Sequence, residues 1–204
     1  MQPFYFYALN TEKIMEPIPD QILLLKIKEN PENFGLVFDA HYKTIFSYIY
    51  RRVADYDLAR DLSADTFMKA FLHISHFNWQ GISLLSWLYR IATNETNYYF
   101  RKNRTNNLLR DLTFGDAYLL TLTEESITEK QLLEEELKLN QDFLKAQQSI
   151  KKLDIKYQEV LSLRYFEKKS VLEIAEILNK KEGTIKSLLS RGLEKLKIEF
   201  FSAT

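Results

Sequence analysis

Proline is confined to the first 31 residues of this chain, and that restricts the possible folds more than any other feature of the sequence. The 204 residues include four prolines and five glycines, so few helix-breaking residues follow Pro31. Apolar residues then recur every three to four positions, for example at Phe34, Phe38, Tyr42, Ile45, Ile49 and Val53, and at Leu58, Leu62, Phe67, Phe71 and Ile74. This spacing predicts long helices and an all-α protein.

The composition excludes several classes of protein. The chain has no cysteine, which rules out disulfides, thiolate zinc sites and cysteine nucleophiles and fits a reducing compartment. No apolar run approaches the ~18 residues that a membrane-spanning helix needs. The start of the chain, MQPFYFYALN, lacks the basic flank of a signal peptide. We therefore expect a soluble protein of the cytoplasm.

The charges are unevenly distributed, although the formal net charge is zero. By segment the net charge is −1 for residues 1–19, +2 for 20–104, −5 for 105–141 and +4 for 142–204. With the periodicity, this predicts an N-terminal extension, a helical bundle, a flexible acidic linker and a second helical domain. The basic C-terminal segment is compatible with an anionic partner, and equally with ordinary solvated helix faces.

The sharpest local signals lie in the second helical domain. Ser170 and Glu173 have the spacing of a capping box, which predicts a helix beginning at VLEIAEIL. Asn179 stands where a tight turn needs a left-handed residue, and a new helix is predicted from about Glu182. The apolar stripe of that helix is expected to be Ile185, Leu189, Leu193 and Leu196. Two helices joined by a short turn predict a helix-turn-helix.

The outward face of the second helix carries small polar and basic residues. In a helix-turn-helix such a face enters the major groove of DNA, where hydroxyls reach base edges and cations meet phosphates. An ordinary helical hairpin with a solvated face is the alternative interpretation. The candidate DNA-binding residues are Lys181, Thr184, Lys186, Ser187, Leu188, Ser190, Arg191 and Lys195.

Two long segments resemble one known family. YQEVLSLRYFEKKSVLEIAEILNKKEGTIKSLLSRGLEKL is similar to region 4 of the extracytoplasmic-function (ECF) sigma factors. FDAHYKTIFSYIYRRVADYDLARDLSADTFMKAFLHISHF and SWLYRIATNETNYYFRKNR are similar to their region 2. These matches cover well over half of the chain in the family's order. The resemblance implies a region 2 bundle at 20–104 and a region 4 helix-turn-helix at 142–204.

The resemblance also implies a function. A sigma factor joins core RNA polymerase at the β′ clamp helices and the β flap, reads the minus-thirty-five promoter element with region 4, and captures the opened minus-ten strand with region 2. Such a protein has no catalytic residues, metal or cofactor of its own. An anti-sigma factor is a common further partner in the family.

The core polymerase-binding residues implied by the resemblance lie in the segment DLSADTFM. Asp61 and Asp65 are four residues apart on one helix face, which suits a basic partner. The apolar residues of the segment have a second interpretation as core residues, and for Leu62 and Phe67 we favour it. The full set is Asp61, Leu62, Asp65, Phe67 and Met68.

The minus-ten DNA-binding residues implied by the resemblance lie in a loop and a helix end. The loop HFNWQGISLL offers a stacking ring and amide groups, and the helix end combines aromatic, polar and basic side chains that suit a single strand. Trp87, within the helix, is expected in the core. The set is Asn78, Trp79, Gln80, Asn94, Asn97, Tyr98, Arg101, Lys102 and Arg104.

The chain also departs from the family pattern. Tyr98 stands where aspartate is usual, Leu85 where a basic residue is common, and Leu188 where an arginine is frequent. Lys181 replaces a frequent capping serine. These changes leave the promoter sequence open. From Met15 onward the sequence resembles the usual start of the family, which makes Met15 an alternative initiator to Met1.

Three alternatives to the sigma factor hypothesis are compatible with parts of the sequence. A stand-alone helix-turn-helix regulator would bind duplex DNA without polymerase, and a protein-interaction module would use the same helical faces without DNA. A metal site at His73 and His76 lacks a third ligand of suitable spacing. The DLSADTF segment followed by an aromatic loop favours a sigma factor.

Overall fold

The computed structural model describes residues 19–77, 82–103, 146 and 148–202. Every regular element there is helical, which confirms the predicted all-α fold class for the described part of the chain. In chain order the elements are α1 (Asp20–Glu29), a 3-10 turn (Pro31–Phe34), α2 (Gly35–Val53), α3 (Tyr56–His73), a second 3-10 turn (Ile74–His76), α4 (Leu84–Asn103), α5 (Ile155–Leu161), a π-helical segment (Ser162–Phe166), α6 (Val171–Leu178) and α7 (Glu182–Ser202).

Several predicted segments lie outside the described residues, namely the N-terminal extension with Met15, the acidic segment 105–141, the loop residues Asn78, Trp79 and Gln80, and Arg104. No helix within the described ranges is both long enough and apolar enough to cross a bilayer.

Helices α2, α3 and α4 pack together as an N-terminal bundle. Its fully buried side chains include Ile45, Phe46 and Ile49 from α2 and Leu84 and Leu88 from α4. Each contributes ~1.5–3 kcal/mol through burial of apolar surface. The three-to-four-residue spacing of these apolar positions in the sequence therefore produces the bundle.

The ends of these helices are set by backbone conformation and by side-chain hydrogen bonds. Ala54 has a φ of 49°, a left-handed conformation that ends α2. Asp55 follows and accepts a hydrogen bond from the backbone N–H of Leu58 at 2.9 Å, which begins α3. Asp20 of α1 accepts from the N–H of Leu84 at 2.6 Å, so the start of α1 is bonded to the start of α4.

The predicted helix-turn-helix is present in the C-terminal domain. Ser170 and Glu173 form both hydrogen bonds of a capping box, at 2.7 and 3.2 Å. Asn179 ends α6 with φ 51° and ψ 51°, as expected for a left-handed turn residue. Helix α7 then begins at Glu182. The predictions made from these four residues are confirmed.

The prediction for the packed face of α7 is wrong at one position. Ile185 is buried and Leu189 and Leu196 are half-buried, but Leu193 is 41% exposed. The neighbouring Gly192 is buried in its place, and a β-carbon added to it would lie 3.3 Å from Leu161 of α5. Because glycine lets the two helices approach closely, the contact line passes through Gly192.

The two helical domains are in direct contact. Helix α4 of the bundle packs against α5 and α6, and α2 packs against the π-helical segment. The buried apolar residues of both domains form one continuous cluster. The sequence predicted two domains on a linker and did not predict that they pack together.

Candidate nucleic-acid interface

The outer face of α7 holds most of the residues expected to read duplex DNA. Buried Ile185 orients the helix, which leaves the opposite side open to solvent. Glu182 pairs with Lys186 at 3.7 Å, one turn along this face. The exposed members of the predicted set are Lys181, Thr184, Lys186, Ser190, Arg191 and Lys195.

Two predicted members of this face are less accessible. Ser187 is half-buried, and Leu188 is half-buried and packs against the hydrophobic core. Leu188 therefore lies at the margin of the contact between α7 and the core. Leu85, another departure from the family pattern, is also half-buried against the core. These two departures therefore have packing roles.

The C-terminal half of α4 presents a second polar and basic face. Asn94, Arg101 and Lys102 are exposed, and the Tyr98 ring is 58% exposed. An exposed aromatic ring beside basic side chains is the combination that binds single-stranded nucleic acid.

Trp87, at the other end of α4, is half-buried with its ring centroid 4.8 Å from that of Phe77. The expectation that Trp87 is a core residue therefore holds in part.

Asn97 differs from the other predicted residues of α4 because its side chain is buried. Its Oδ1 accepts a hydrogen bond from Arg52 at 2.8 Å, and its Nδ2 donates to Glu159 of α5 at 2.8 Å. Arg52 also donates to the hydroxyl of Tyr48 at 3.3 Å. Burial raises the pKa of Tyr48, so this hydroxyl stays protonated.

The DLSADTFM segment divides between surface and core. Asp61, Asp65 and Met68 are exposed, and Met68 retains 60% of its surface. Leu62 and Phe67 are buried, which agrees with the core interpretation favoured for them. The Phe67 ring packs edge-to-face on Phe38, with centroids 5.0 Å apart. The exposed part of this segment therefore includes two carboxylates and an apolar side chain.

The metal-site alternative receives no support. In the described ranges, no group of three or more histidine, cysteine or acidic side chains could hold a metal ion. Ser75 lies 3.1 Å from the Nδ1 of His76, and His73 is exposed. We interpret these histidines as ordinary surface residues.

Comparison with protein families decides between the remaining hypotheses. The family model described as Sigma-70 region 2 matches residues 37–105, and that described as Sigma-70, region 4 matches residues 143–196. The ECF RNA polymerase sigma factor SigW of Bacillus subtilis is 31% identical over 170 residues, which cover 83% of this chain and 90% of SigW. The chain belongs to the ECF sigma factors of the sigma-70 family.

A second relative supports the same assignment. The ECF sigma factor BldN of Streptomyces coelicolor is 32% identical over 163 residues, which cover 80% of this chain and 58% of BldN. The present chain thus spans less than two thirds of the length of BldN. The predicted function, promoter-specific transcription initiation with core RNA polymerase, is confirmed at the level of the family, and a stand-alone regulator is not favoured.

Solved structures share the fold. CnrH, solved in complex with the cytosolic domain of CnrY, superposes with a TM-score of 0.61 at 19% identity, covering 91% of this chain and 99% of CnrH. RpoE, solved with the anti-sigma factor NepR from Bartonella quintana, gives 0.57 at 22% identity over 82% and 96% of the two chains. These likenesses concern the fold alone.

Sequence reasoning missed the residues that join region 2 to region 4 in this sigma factor. Glu167 accepts hydrogen bonds from Arg51 at 3.1 Å and from the Tyr89 hydroxyl at 2.6 Å. Arg90 donates to the backbone carbonyls of Glu176, and of Ile177 at 3.1 Å. The sequence held one signal of this contact. Glu159 stands among apolar residues of α5 such as Tyr157 and Val160, and a carboxylate that is buried among such residues needs a polar partner.

Proposed function

We propose that this sigma factor reads a minus-thirty-five element with α7, holds the minus-ten strand with the outer face of α4, and docks on core RNA polymerase through α3. The observation that carries the proposal is the two-sided character of α7. Ile185 is buried while Thr184, Lys186, Ser190 and Arg191 are exposed on the helix that follows a capped α6 and a tight turn. This arrangement matches a recognition helix presented to the major groove.

In region 4 the exposed side chains divide into two chemical classes. Thr184 and Ser190 carry short hydroxyls that can bond to base edges once the backbone of α7 lies in the groove. Lys181, Lys186, Arg191 and Lys195 carry cations that bind phosphates and confer dependence on salt. Because phosphate contacts are independent of sequence, promoter choice would fall to the hydroxyls and to Leu188.

In region 2 we assign the minus-ten strand to the exposed side of α4. Tyr98 offers a base-stacking ring, Asn94 an amide, and Arg101 and Lys102 phosphate-binding cations. Tyr98 replaces the usual aspartate with an uncharged ring, a change that favours contact with an anionic strand. The loop residues Asn78, Trp79 and Gln80, together with Arg104, stay in the proposal on the basis of the resemblance.

For the polymerase we assign the β′ clamp helices to α3. Asp61 and Asp65 supply negative charge on one face, and Met68 an apolar contact beside them. Asp61 lies 3.8 Å from Arg60, a loose surface pair that a stronger basic partner could replace. Leu62 and Phe67 would support this surface from below. The β flap is the second polymerase contact that we propose, with region 4.

Further partners follow from the solved relatives. RpoE was crystallised with an anti-sigma factor, so we propose that a protein of this kind also binds the present chain and blocks its use by polymerase. We further propose that the protein acts in the cytoplasm and has no catalytic activity, metal or cofactor of its own. Region 2 and region 4 would both contribute to the anti-sigma contact.

Transcription in vitro tests the proposal. The purified protein is added to core RNA polymerase on fragmented genomic DNA of the source organism, and the RNA starts are sequenced. We expect discrete starts that are absent without the protein and share two upstream elements at a fixed spacing. DNA binding by the protein alone, with neither starts nor a complex with core, would support the stand-alone regulator instead.

A further inference from the structure

Contacts on both sides hold the ends of the segment 78–82, which joins the second 3-10 turn to α4. At its first end, Phe77 donates its backbone N–H to the carbonyl of Ile74 at 3.1 Å, and its ring lies 4.8 Å from that of Trp87, centroid to centroid. Ile74 is buried, and the two aromatic side chains are half-buried. An aromatic contact therefore holds the first end of the segment against α4.

The second end of the segment is the start of α4. The Ser83 hydroxyl accepts a hydrogen bond from the N–H of Ser86 at 3.1 Å, as an N-cap residue does. The N–H of Leu84 donates to the carboxylate of Asp20 at 2.6 Å. The first N–H groups of a helix have no partner within the helix, and a carboxylate suits the partial positive charge at that end. Ser83 and Asp20 together thus fix where α4 begins.

Asp20 is itself held in place by the packing of α1. It is the first residue of that helix, whose Leu23, Leu24 and Ile27 are buried in the core. The carbonyl of Pro19 accepts from the N–H of Leu23 at 3.0 Å, so the backbone on both sides of Asp20 is ordered by the helix. The position of the carboxylate therefore follows the position of α1 on the bundle.

The histidine near Asp20 does not compete for its carboxylate as a cation. Burial lowers the pKa of His41 of α2, and the charge of Asp20 opposes this shift to a smaller extent. His41 is therefore mostly neutral at about pH 7. The N–H of Leu84 keeps a short hydrogen bond to a carboxylate, which is stronger than one to a neutral acceptor.

The held ends flank residues that matter for the proposed function. Asn78, Trp79 and Gln80, which the resemblance assigns to the minus-ten strand, are outside the described residues, whereas Phe77 and Ser83 on either side of them are described. A group that recognises a base has to be held to within about 0.5 Å by the residues that support it. The contacts at Phe77 and at the start of α4 can provide that support.

We propose that Asp20 is a positioning residue for minus-ten recognition, because its hydrogen bond to Leu84 fixes the start of α4 and the second end of the segment 78–82 relative to the bundle. This rests on the proposed function of α4 and of the loop residues. Asp20 acts through Leu84 without touching the DNA. It also brings α1, which ends at Glu29 and so precedes the region 2 match at 37–105, into the recognition of the promoter.

Three variants test the role of the Asp20 oxygen. Asp20→Ala removes the acceptor for the Leu84 N–H, whereas Asp20→Asn keeps a side-chain oxygen at the same distance from the backbone. The matched control is Glu29→Ala, which removes an exposed carboxylate from the other end of α1. Circular dichroism measures the helical content of each variant.

The chain itself supplies a probe of the segment. Its two tryptophans are Trp79 and Trp87, so a Trp87→Phe background leaves Trp79 as the only one and keeps a ring against Phe77. Acrylamide quenching of Trp79 fluorescence then measures the accessibility of the indole without any DNA. With Trp87 retained, a pool of single-stranded oligonucleotides of random sequence is bound, and sequencing of the bound fraction gives the base preference.

We expect Asp20→Ala to raise the quenching of Trp79, to lower affinity for the pool by about tenfold and to reduce the base preference, since losing a hydrogen bond to a charged group has an effect of this size. Asp20→Asn should restore most of each property, and Glu29→Ala should change none. Affinity for duplex DNA, assigned to α7, should be the same in all variants. A general loss of stability would lower duplex binding as well, so this contrast separates positioning from a purely structural role.

Unchanged quenching and unchanged base preference in Asp20→Ala would overturn the proposal. Equal losses in Asp20→Ala and Asp20→Asn, or in Asp20→Ala and Glu29→Ala, would also overturn it. If Asp20→Ala loses helical content, Asp20→Glu decides, because it keeps the carboxylate and lengthens the side chain by one methylene. A reduced base preference in Asp20→Glu would then support the proposal, and an unchanged one would reject it.

The transcription assay separates this proposal from the proposed function. Discrete RNA starts, with the same base preference in Asp20→Ala as in the unsubstituted protein, would leave the sigma factor assignment in place and reject the role of Asp20. Neither starts nor a base preference in the unsubstituted protein would reject the assignment, and with it the role of Asp20 in recognition. The quenching measurements would still show whether Asp20 holds the segment 78–82.

Discussion

The side-chain amide of Asn97 in region 2 donates a 2.8 Å hydrogen bond to the carboxylate of Glu159 in region 4, across a separation of 62 residues. Asn97 is also one of the residues that the family resemblance assigns to the minus-ten element. In this structure its side chain is instead occupied by contacts with Arg52 and Glu159. Because the Asn97 and Glu159 side chains are both buried, the charge-assisted hydrogen bond between them helps to fix α5 on α4.

Substitution of Asp61 and Asp65 should weaken binding to core polymerase. Replacing both by asparagine removes two exposed charges from α3 and should raise the dissociation constant about tenfold, as for charges at the rim of an interface. Fluorescence anisotropy with labelled protein and purified core measures this. Asp39→Asn, an exposed aspartate of α2, is the control. Equal affinity for core in the double variant and the control would refute the assignment.

Removal of the Tyr98 ring should reduce binding of the minus-ten strand. A stacked base contributes ~1–3 kcal/mol, so Tyr98→Ala should lose about that much affinity for a single-stranded promoter oligonucleotide, while Tyr98→Phe should retain most of it. Filter binding or anisotropy gives the values. Tyr165→Ala, which removes a tyrosine 51% exposed in region 4, should change little. A loss as large for Tyr165 as for Tyr98 would count against a specific stacking role.

Arg191 should contribute a phosphate contact to region 4. Arg191→Ala is expected to lower affinity for duplex DNA of any sequence and to reduce the slope of log affinity against log salt by about 0.9. Titrations at several salt concentrations give this slope. Lys197→Ala, farther along α7 and also exposed, is the comparison. If Arg191→Ala lowers affinity for one sequence only, the residue reads bases instead.

The capping box should stabilise the helix-turn-helix measurably. Ser170→Ala removes the oxygen that accepts from the Glu173 N–H and should cost ~1 kcal/mol of unfolding free energy, while Ser170→Asp, another capping residue, should cost much less. Urea denaturation followed by circular dichroism provides the comparison. Equal losses for alanine and aspartate would show that the cap itself is not responsible.

The same cap should depend on pH. The hydrogen bond from the backbone N–H of Ser170 lowers the pKa of Glu173 in the folded protein. A lowered carboxyl pKa gives stability that is present above the unfolded value of about 4.3 and is lost as pH falls through the folded pKa. The unfolding free energy of the protein should therefore exceed that of Glu173→Gln by more at about pH 7 than at about pH 3. A difference independent of pH would contradict this.

Two glycines of α7 should respond in opposite ways to larger side chains. A β-carbon on Gly192 meets Leu161 and Tyr157 at 3.3 to 3.4 Å, so Gly192→Leu should overpack the contact with α5 and cost about 1–3 kcal/mol. Gly183 has nothing within 4 Å, so Gly183→Ala should be neutral or stabilising by up to about 1 kcal/mol. Thermal unfolding of both variants checks the contrast. A stable Gly192→Leu variant would mean that α7 can shift on α5.

Much of the secondary structure could be predicted because its causes are local. The capping box at Ser170, the left-handed Asn179 and the start of α7 depend on residues within a few positions of one another, and each is present. The error at Leu193 arose where a neighbour in space mattered, since Gly192 lies against α5. Helical periodicity gives an approximate face, and the close approach of another helix decides which residue occupies it.

The sequence by itself determined the helical architecture, the order of region 2 and region 4, and the polar face of α7, because apolar spacing and capping are properties of short segments. The tertiary structure decided which of the implied site residues are accessible. Asp65 and Tyr98 are exposed, whereas Phe67 and Asn97 are buried. It also decided that Glu159 and Glu167 pair with region 2. Such pairing joins residues far apart in the chain, so it depends on the packing of whole helices.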